Sequence, residues 1–497
     1  MELTLHSLIT TSVDRFTDQP AITTPGGTLT YREITEQANL LAHRLITLGV
    51  QPGTPVALML SNSAEWVVAD QAIIRAGAAK VPVNDMLTTG EVDYILRDCG
   101  AQIAITNGHF TAQAHAAKLA HVIELVPGWM PEGGATAERS GPPQVNITPH
   151  DTALILYTGG TTGRQKGVVH TQRGLATNLL AHLLELGFQD DERLLLTAPL
   201  AHSAGFLLQA GLSKGARIYV ERKFNAHEVL RRIEAASITF LFLVPTMIYR
   251  LLDAADADDH VQVSSLRTIL YGAAPINLER LNQGIARFGP VFMQLYGQSE
   301  APNFLTRLTR EDHVTADALR LTSCGRPAAM VRIAVLDEHG EPAEPGAIGE
   351  ICARAPYLME GYRGLPDKTS ETLAGGWLHT GDIGSIDADG FVYLLDRKND
   401  MVISGGMNVY TTEVEQVIGA CDGVSQVAVV GIPDPDWGEA VTAFVVPKGD
   451  YDEATVRDAC RRLLATYKRP KSIVEVDALP TTAVGKVDKK LLRTTTH

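Results

Sequence analysis

The 497-residue sequence holds only five cysteines, Cys99, Cys324, Cys352, Cys421 and Cys460. None forms a CxxC pair, which excludes a zinc ribbon and a disulfide framework and leaves ordinary thiols. Positive charge is also scarce: 43 Lys and Arg face 57 Asp and Glu, a net charge of −14. Such a surface repels a polyanion, so wholesale wrapping of nucleic acid is excluded. No segment approaches the ~18 apolar residues of a membrane span, and the longest apolar run, from Phe240 to Tyr249, is interrupted by Pro245. The opening MELTLHSLITTSVDRF lacks a basic stretch followed by an apolar one, so a soluble cytoplasmic protein is the expectation. What remains is a core-forming composition, 45% hydrophobic and 20% charged, which excludes disorder as the main state.

Length alone suggests roughly three domains at ~150 residues each. Thr30 and Glu33 have capping-box spacing ahead of Ile34, Ala38, Leu41, Leu45 and Leu48, and Gly49 closes the pattern, so 30–49 is predicted helical. Short, continuously apolar strands follow at 56–60, 80–83, 103–106, 122–126, 152–157, 193–196, 217–220, 240–244 and 268–271, with a helix at 65–75. That alternation predicts α/β layers around a largely parallel sheet. From about Cys324 the texture changes to short strands with Gly and Pro turns, which predicts an antiparallel, β-barrel-like subregion. Beyond Asn399 about one hundred residues remain, with strands at 424–430 and 440–446 between helices at 412–418 and 453–465. This is enough for a small α+β domain. Residues 127–144 read as a surface loop.

The strongest local signal is YTGGTTGRQKG, from Tyr157 to Gly167, directly after an apolar strand. Glycines let backbone N–H groups close around phosphate oxygens, threonine hydroxyls add donors and a lysine adds a cation, so a polyphosphate fits. It is not a Walker A loop, which needs Gly-Lys followed by Ser or Thr. A flexible Gly/Thr turn is the plainer alternative.

With this loop the sequence resembles the adenylate-forming enzymes: acyl-CoA synthetases, aryl-CoA ligases, luciferases and peptide-synthetase adenylation domains. The resemblance runs from LTYREITEQANLLAHRL at Leu29 to PTTAVGK ending at Lys486. Between them PLAHSAG, YGAAP, YGQSEAP, WLHTGD and DRKND follow in the family's order. It implies an acid:CoA ligase that uses ATP, Mg²⁺ and coenzyme A and takes a small carboxylic acid. The acceptor is coenzyme A or, alternatively, a carrier protein; a non-catalytic nucleotide-binding protein on the same fold is the third reading. No nucleic-acid partner is implied, and a homodimer is among the assemblies left open.

The resemblance assigns roles residue by residue. Thr158, Gly159, Gly160, Thr161, Thr162 and Lys166 would cradle phosphates. Gly272, Ala273 and Ala274 would lie against adenine, with Tyr296 stacking on its other face in the Tyr296, Gly297, Ser299 segment. Asp382 and Arg397 would hold the ribose, Glu300 the magnesium, and His202 the carboxylate end of the acyl pocket. Lys486 would be the catalytic lysine that bridges substrate carboxylate and α-phosphate, whereas Lys489 and Lys490 read as solvated. A large domain, 1–396, and a small mobile domain, 397–497, would hinge near Asn399 and exchange Lys486 for a coenzyme A channel at Ser404, Gly405 and Gly406. No acid occupies 199–206, where amino-acid-activating members place an aspartate, so a substrate without an α-amino group is expected. Gly159, Gln165, Ala201, Ser299 and Thr411 depart from the common pattern. Gln165 for Pro is expected to loosen the loop, and Ala201 for an aromatic to admit a bulky or cyclic acid.

Overall fold

A computed structural model of the chain describes residues 2–129, 141–158, 165–257, 262–315, 317–337, 339–398, 400–482 and 487–494. The predicted capping box is formed: helix Tyr31–Thr47 starts after Thr30, whose N–H reaches Glu33 Oε2 at 2.7 Å while Glu33 N–H returns to Thr30 Oγ1 at 3.2 Å. Two large sheets dominate. One has seven strands, in which Ala79–Pro82, Pro55–Met59, Ile103–Thr106 and His121–Glu124 run parallel and Thr152–Thr158 pairs antiparallel with Lys166–Thr171. The other has nine, with a parallel centre of Arg217–Val220, Arg193–Leu196, Phe240–Leu243, Thr268–Tyr271 and Phe292–Gln298.

Strands Ile103–Thr106, Phe240–Leu243 and Thr268–Tyr271 are buried at every position. They are covered on both faces, which is why their sequences are continuously apolar rather than alternating. Helix Ala64–Arg75 shares the same core and is buried at every residue from Trp66 to Arg75. Its buried charges are paired, since Lys80 Nζ meets Asp70 Oδ1 at 2.5 Å and fully buried Arg75 reaches Asp14 and Asn39, whereas the buried Gln71 amide has no hydrogen-bond partner among the described residues.

The antiparallel region expected after Cys324 is a four-stranded sheet, ordered Arg332–Leu336, Gly349–Arg354, Leu378–Ile386, Val392–Arg397. The C-terminal unit packs helices Thr411–Gly419 and Glu453–Leu463 on strands Val424–Asp434 and Gly438–Pro447. Val414, Ile418, Val429, Val441 and Val456 form its own core. No described helix is long and apolar enough to cross a membrane.

Candidate active site

The four-stranded sheet delivers the site's principal carboxylate. Asp382 lies opposite Arg397 on adjacent antiparallel strands, just after Gly381, whose positive φ of 69° turns the chain at a register shift. Only 4% exposed, Asp382 collects three donors. Tyr296 Oη donates to Oδ2 at 2.5 Å, Gln298 Nε2 to the same oxygen at 2.9 Å, and Arg397 Nε to Oδ1 at 2.8 Å. Burial and then the Asp382 charge push the Tyr296 phenol well above its ordinary value, so it stays a neutral donor. The same charge raises Arg397, against the opposing effect of desolvation.

A second cluster surrounds Glu300. Tyr362 donates its hydroxyl to Glu300 Oε1 at 2.6 Å, and Lys166 Nζ sits 4.4 Å from the centre of the Tyr362 ring. Strand Gly361–Tyr362 pairs with Val168 and Val169, which brings the tyrosine beside Lys166. Burial lowers the Lys166 ammonium while Glu300 opposes that shift. Glu300 Oε2 has no hydrogen bond or ion pair among the described residues, leaving a hard oxygen able to meet a magnesium ion.

The tip between strands Phe292–Gln298 and Ala301–Leu308 is held from behind. Neutral His170 donates through Nε2 to the Ser299 carbonyl at 2.8 Å, its pKa lowered to about 4 by burial. A Cβ on Gly297 would fall 2.6 Å from the Asn303 backbone, so only glycine fits there. A Cβ on Gly272 would fall 2.5 Å from the Leu295 carbonyl, and Ala273 beside it adopts a left-handed φ of 68°. Such a conformation in a non-glycine costs on the order of 1 kcal/mol and collects at functional turns. Ala274 is partly exposed in the same turn.

His202 precedes helix Ser203–Ser213, with its Nε2 3.0 Å from Asn84 Nδ2. Pro199 and Ala201 line a small cavity of about 20 Å³ together with Asn84, Asp85 and Arg222, the space of roughly one water. The segment 199–206 contains no acid, but Asp85 and Arg222 both line this cavity.

Gly159, Gly160, Thr161, Thr162, Asn399 and Lys486 lie outside the described residues, whereas Thr158 ends the strand that leads into the loop. At the described end of the loop, the Gln165 carbonyl accepts from Tyr94 Oη at 2.9 Å and its amide reaches Glu91 at 3.4 Å. One expectation needs correction, at Lys489. Lys489 is not solvated, since it pairs with Glu415 at 2.7 Å and donates to Thr411 Oγ1 at 2.8 Å. Desolvation lowers Lys489, but Glu415 and Asp396 outweigh it and hold the ammonium above its usual range. Ser404, expected at the coenzyme A channel after rotation of the small domain, is fully buried in this conformation, with Oγ unpartnered among the described residues. Gly405 and Gly406, with φ of 59° and 79°, make the two-residue turn between Val402–Ser404 and Met407–Val409.

Thr411 acquires a reason. Its N–H donates to Asp396 Oδ2 at 2.5 Å and its hydroxyl accepts from Lys489, neither of which proline could do. Sequence reasoning missed Gln298, Tyr362 and Asn84. Gln298 stood inside YGQSE, but no spacing rule connects the other two with their partners.

Comparison with known proteins identifies the family. Residues 9–363 match the model of the AMP-binding enzyme family, and residues 413–486 that of the AMP-binding enzyme C-terminal domain. The medium/long-chain-fatty-acid–CoA ligase FadD8 of Mycobacterium tuberculosis is 37% identical over 511 residues, covering 98% of this chain and 89% of that one. A feruloyl-CoA synthase of Amycolatopsis sp is 37% identical over 475 residues, covering 94% of each. The solved amide bond synthetase McbA of Marinactinospora thermotolerans superimposes with a TM-score of 0.90 at 31% identity, covering 99% of this chain and 100% of that one. With its fold, motif order and both family regions in agreement, the chain belongs to the AMP-binding enzyme family, within the adenylate-forming superfamily.

Proposed function

We propose that the chain is an ATP-dependent acid:CoA ligase acting on a carboxylic acid without an α-amino group. One observation carries the reading: Asp382, Tyr296, Gln298 and Arg397 converge across two sheets within a chain whose two parts both match the family. Asp382 is the ribose acceptor, and the Gly272 to Ala274 turn is the adenine platform, with Tyr296 oriented beside it by its bond to Asp382. Lys166 and the 159–164 loop meet the phosphates, and His202 borders the acid's carboxylate. Magnesium would be held by Glu300, whose Oε2 lacks a protein partner among the described residues, and would supply charge neutralisation on the phosphates.

In the first step a carboxylate oxygen attacks the α-phosphorus, the bond to pyrophosphate breaks, and acyl-AMP forms. Lys486 is the cation we assign to the charge developing there. In the second, a thiolate sulfur attacks the acyl carbon and AMP leaves with the bonding pair. The boundary between the large and small domains is placed at 396/397, with Asn399 as hinge and Ser404 to Gly406 beside the thiol path after rotation. The small Ala201 side chain and the feruloyl-CoA synthase relative support a bulky or ring-bearing acid.

ATP–pyrophosphate exchange across a panel of aliphatic and aromatic acids, with and without coenzyme A, tests both steps. Exchange with at least one acid and AMP release accelerated by coenzyme A are expected. Exchange without acceleration turns the second step toward a carrier-protein thiol or, given the likeness to McbA, an amine. No exchange with any acid overturns the proposal.

A further inference from the structure

Away from Glu300, a different set of ligand atoms converges on the four-stranded sheet. Glu350 and Cys352 lie two residues apart on strand Gly349–Arg354 and so share a face, and Cys352 stands directly opposite His379 of strand Leu378–Ile386. Cys352 Sγ is 3.5 Å from His379 Nδ1, that nitrogen is 3.2 Å from Glu350 Oε2, and all three atoms fall within 4.8 Å of one another. Tetrahedral zinc, with bonds of ~2.3 Å to sulfur and ~2.0–2.1 Å to nitrogen or oxygen, sets its ligand atoms about 3.3–3.6 Å apart. Two edges of that tetrahedron are therefore already in place.

We propose that Glu350 Oε2, Cys352 Sγ and His379 Nδ1 bind one zinc(II) ion, with water as the fourth ligand, at a site separate from the proposed magnesium position at Glu300. The backbone fixes the Glu350 carboxylate, because Oε1 accepts the Gly381 N–H at 3.0 Å and leaves Oε2 facing the other two ligands. A set combining sulfur, imidazole and one carboxylate suits zinc and rejects magnesium, which takes oxygen ligands. Cys352 is buried, but the Glu350 and His379 side chains keep 18% and 25% of their exposure, opening one side for a water. Lys398 Nζ lies 3.9 Å from Glu350 Oε2, and at 63% exposure it turns out to solvent as the cation arrives. Binding replaces the Cys352 S–H bond with a sulfur–zinc bond and releases that proton to water. The set escapes motif reading because 27 residues separate Cys352 from His379, and only the sheet register brings them together.

The test uses the full chain, stripped by dialysis against a chelator and titrated first with cobalt(II) as a spectroscopic probe, then with zinc(II). One cobalt per chain is expected, with near-ultraviolet thiolate-to-cobalt charge transfer and the visible bands of a tetrahedral ion, all removed by one equivalent of zinc. Cys352→Ser should abolish the charge-transfer band, and His379→Gln should weaken cobalt binding about tenfold or more. Cys421→Ser, a thiol of the C-terminal unit, should change neither. Thermal melts establish that each variant is folded, and if Cys352→Ser is not, the affinity of His379→Gln decides. A wild-type chain without the band, a band that persists in folded Cys352→Ser, or unchanged affinity in His379→Gln overturns the site.

Discussion

Asp382→Ala tests the centre of the proposed nucleotide site, and its cost follows from the three donors it strands. Tyr296 is 8% exposed and its hydroxyl would be left buried without its carboxylate partner, a loss of about 1–3 kcal/mol. Gln298 Nε2 also donates to the Thr380 carbonyl at 2.8 Å and keeps that bond, so it adds little. Arg397 is 49% exposed and can hydrate, which limits the ion pair to about 0–1 kcal/mol. The expected destabilisation is therefore about 1–4 kcal/mol, carried mostly by Tyr296. Adding Tyr296→Phe removes the stranded hydroxyl, so the double variant should be more stable than the sum of the two singles by roughly 1 kcal/mol or more. Urea unfolding of wild type, both singles and the double measures this coupling, while exchange with a competent acid reads the loss of ATP use. Strict additivity of the two substitutions, or undiminished exchange in Asp382→Ala, would refute the account of this hub.

The buried histidines make stability pH-dependent. His170, His182 and His313 each have a folded pKa lowered from 6.5 to about 4 by burial. The unfolded chain thus takes up protons that the fold refuses. The associated stability is complete above pH 6.5 and is lost as pH falls toward 4, about 3 kcal/mol per histidine over that window. Melting temperature should fall steadily from pH 6.5 to 4.5, less steeply in His170→Gln; parallel profiles would refute the assignment. Lys489→Met leaves Glu415 without its cation. Because each partner keeps 19% exposure, a cost of roughly 1–3 kcal/mol is expected, below the ~3–5 of a fully buried pair. Equilibrium unfolding measures it, and adenylation should fall further than thioester formation from supplied acyl-AMP. Tyr362→Phe removes the donor to Glu300 Oε1 and should raise the KM for Mg·ATP about fivefold, the equivalent of one hydrogen bond near 1 kcal/mol, in steady-state assays at fixed acid.

Strands buried on both faces were legible residue by residue: 103–106, 193–196, 217–220 and 268–271 coincide with their sequence reading. Desolvation of both faces demands an uninterrupted apolar run, and that demand is local. The hairpin Phe292–Gln298 with Ala301–Leu308 was not legible, because it carries Gln294, Gln298, Asn303 and Arg307. Gln298 is satisfied by Thr380, 82 residues away, Asn303 by His182 at a separation of 121, and Arg307 by the Glu185 carbonyl at 122. A short-range pattern carries no trace of such partners. Lys489 was misread for the same reason: the acids that hold it, Glu415 and Asp396, sit more than 70 residues earlier in the chain. Motif order named Asp382, Arg397, Glu300 and Tyr296, yet not Tyr362, the tyrosine that donates to Glu300.

Lone-pair counting at Asp382 links nucleotide binding to the small domain. An ionised carboxylate offers about four acceptor positions, and Asp382 already uses three, two on Oδ2 and one on Oδ1. Two ribose hydroxyls therefore exceed its remaining capacity, and one resident donor must give way. Tyr296 is buried and has nowhere to hydrate, and displacing the Gln298 amide leaves Arg397 still competing for Oδ1. The half-exposed Arg397 has the cheapest exit, into water or onto the sugar itself. Its neighbour Asp396 accepts the Thr411 N–H at the start of helix Thr411–Gly419, and Lys489 ties Thr411 and Glu415 of that helix to the tail after Lys486. A shift of Arg397 is thus passed through one intervening peptide to the elements that carry the proposed catalytic lysine. On the proposed assignment, occupancy of the ribose site is coupled through residues 396 and 397 to the Thr411 and Lys489 contacts, at the same pair where the domain boundary is proposed.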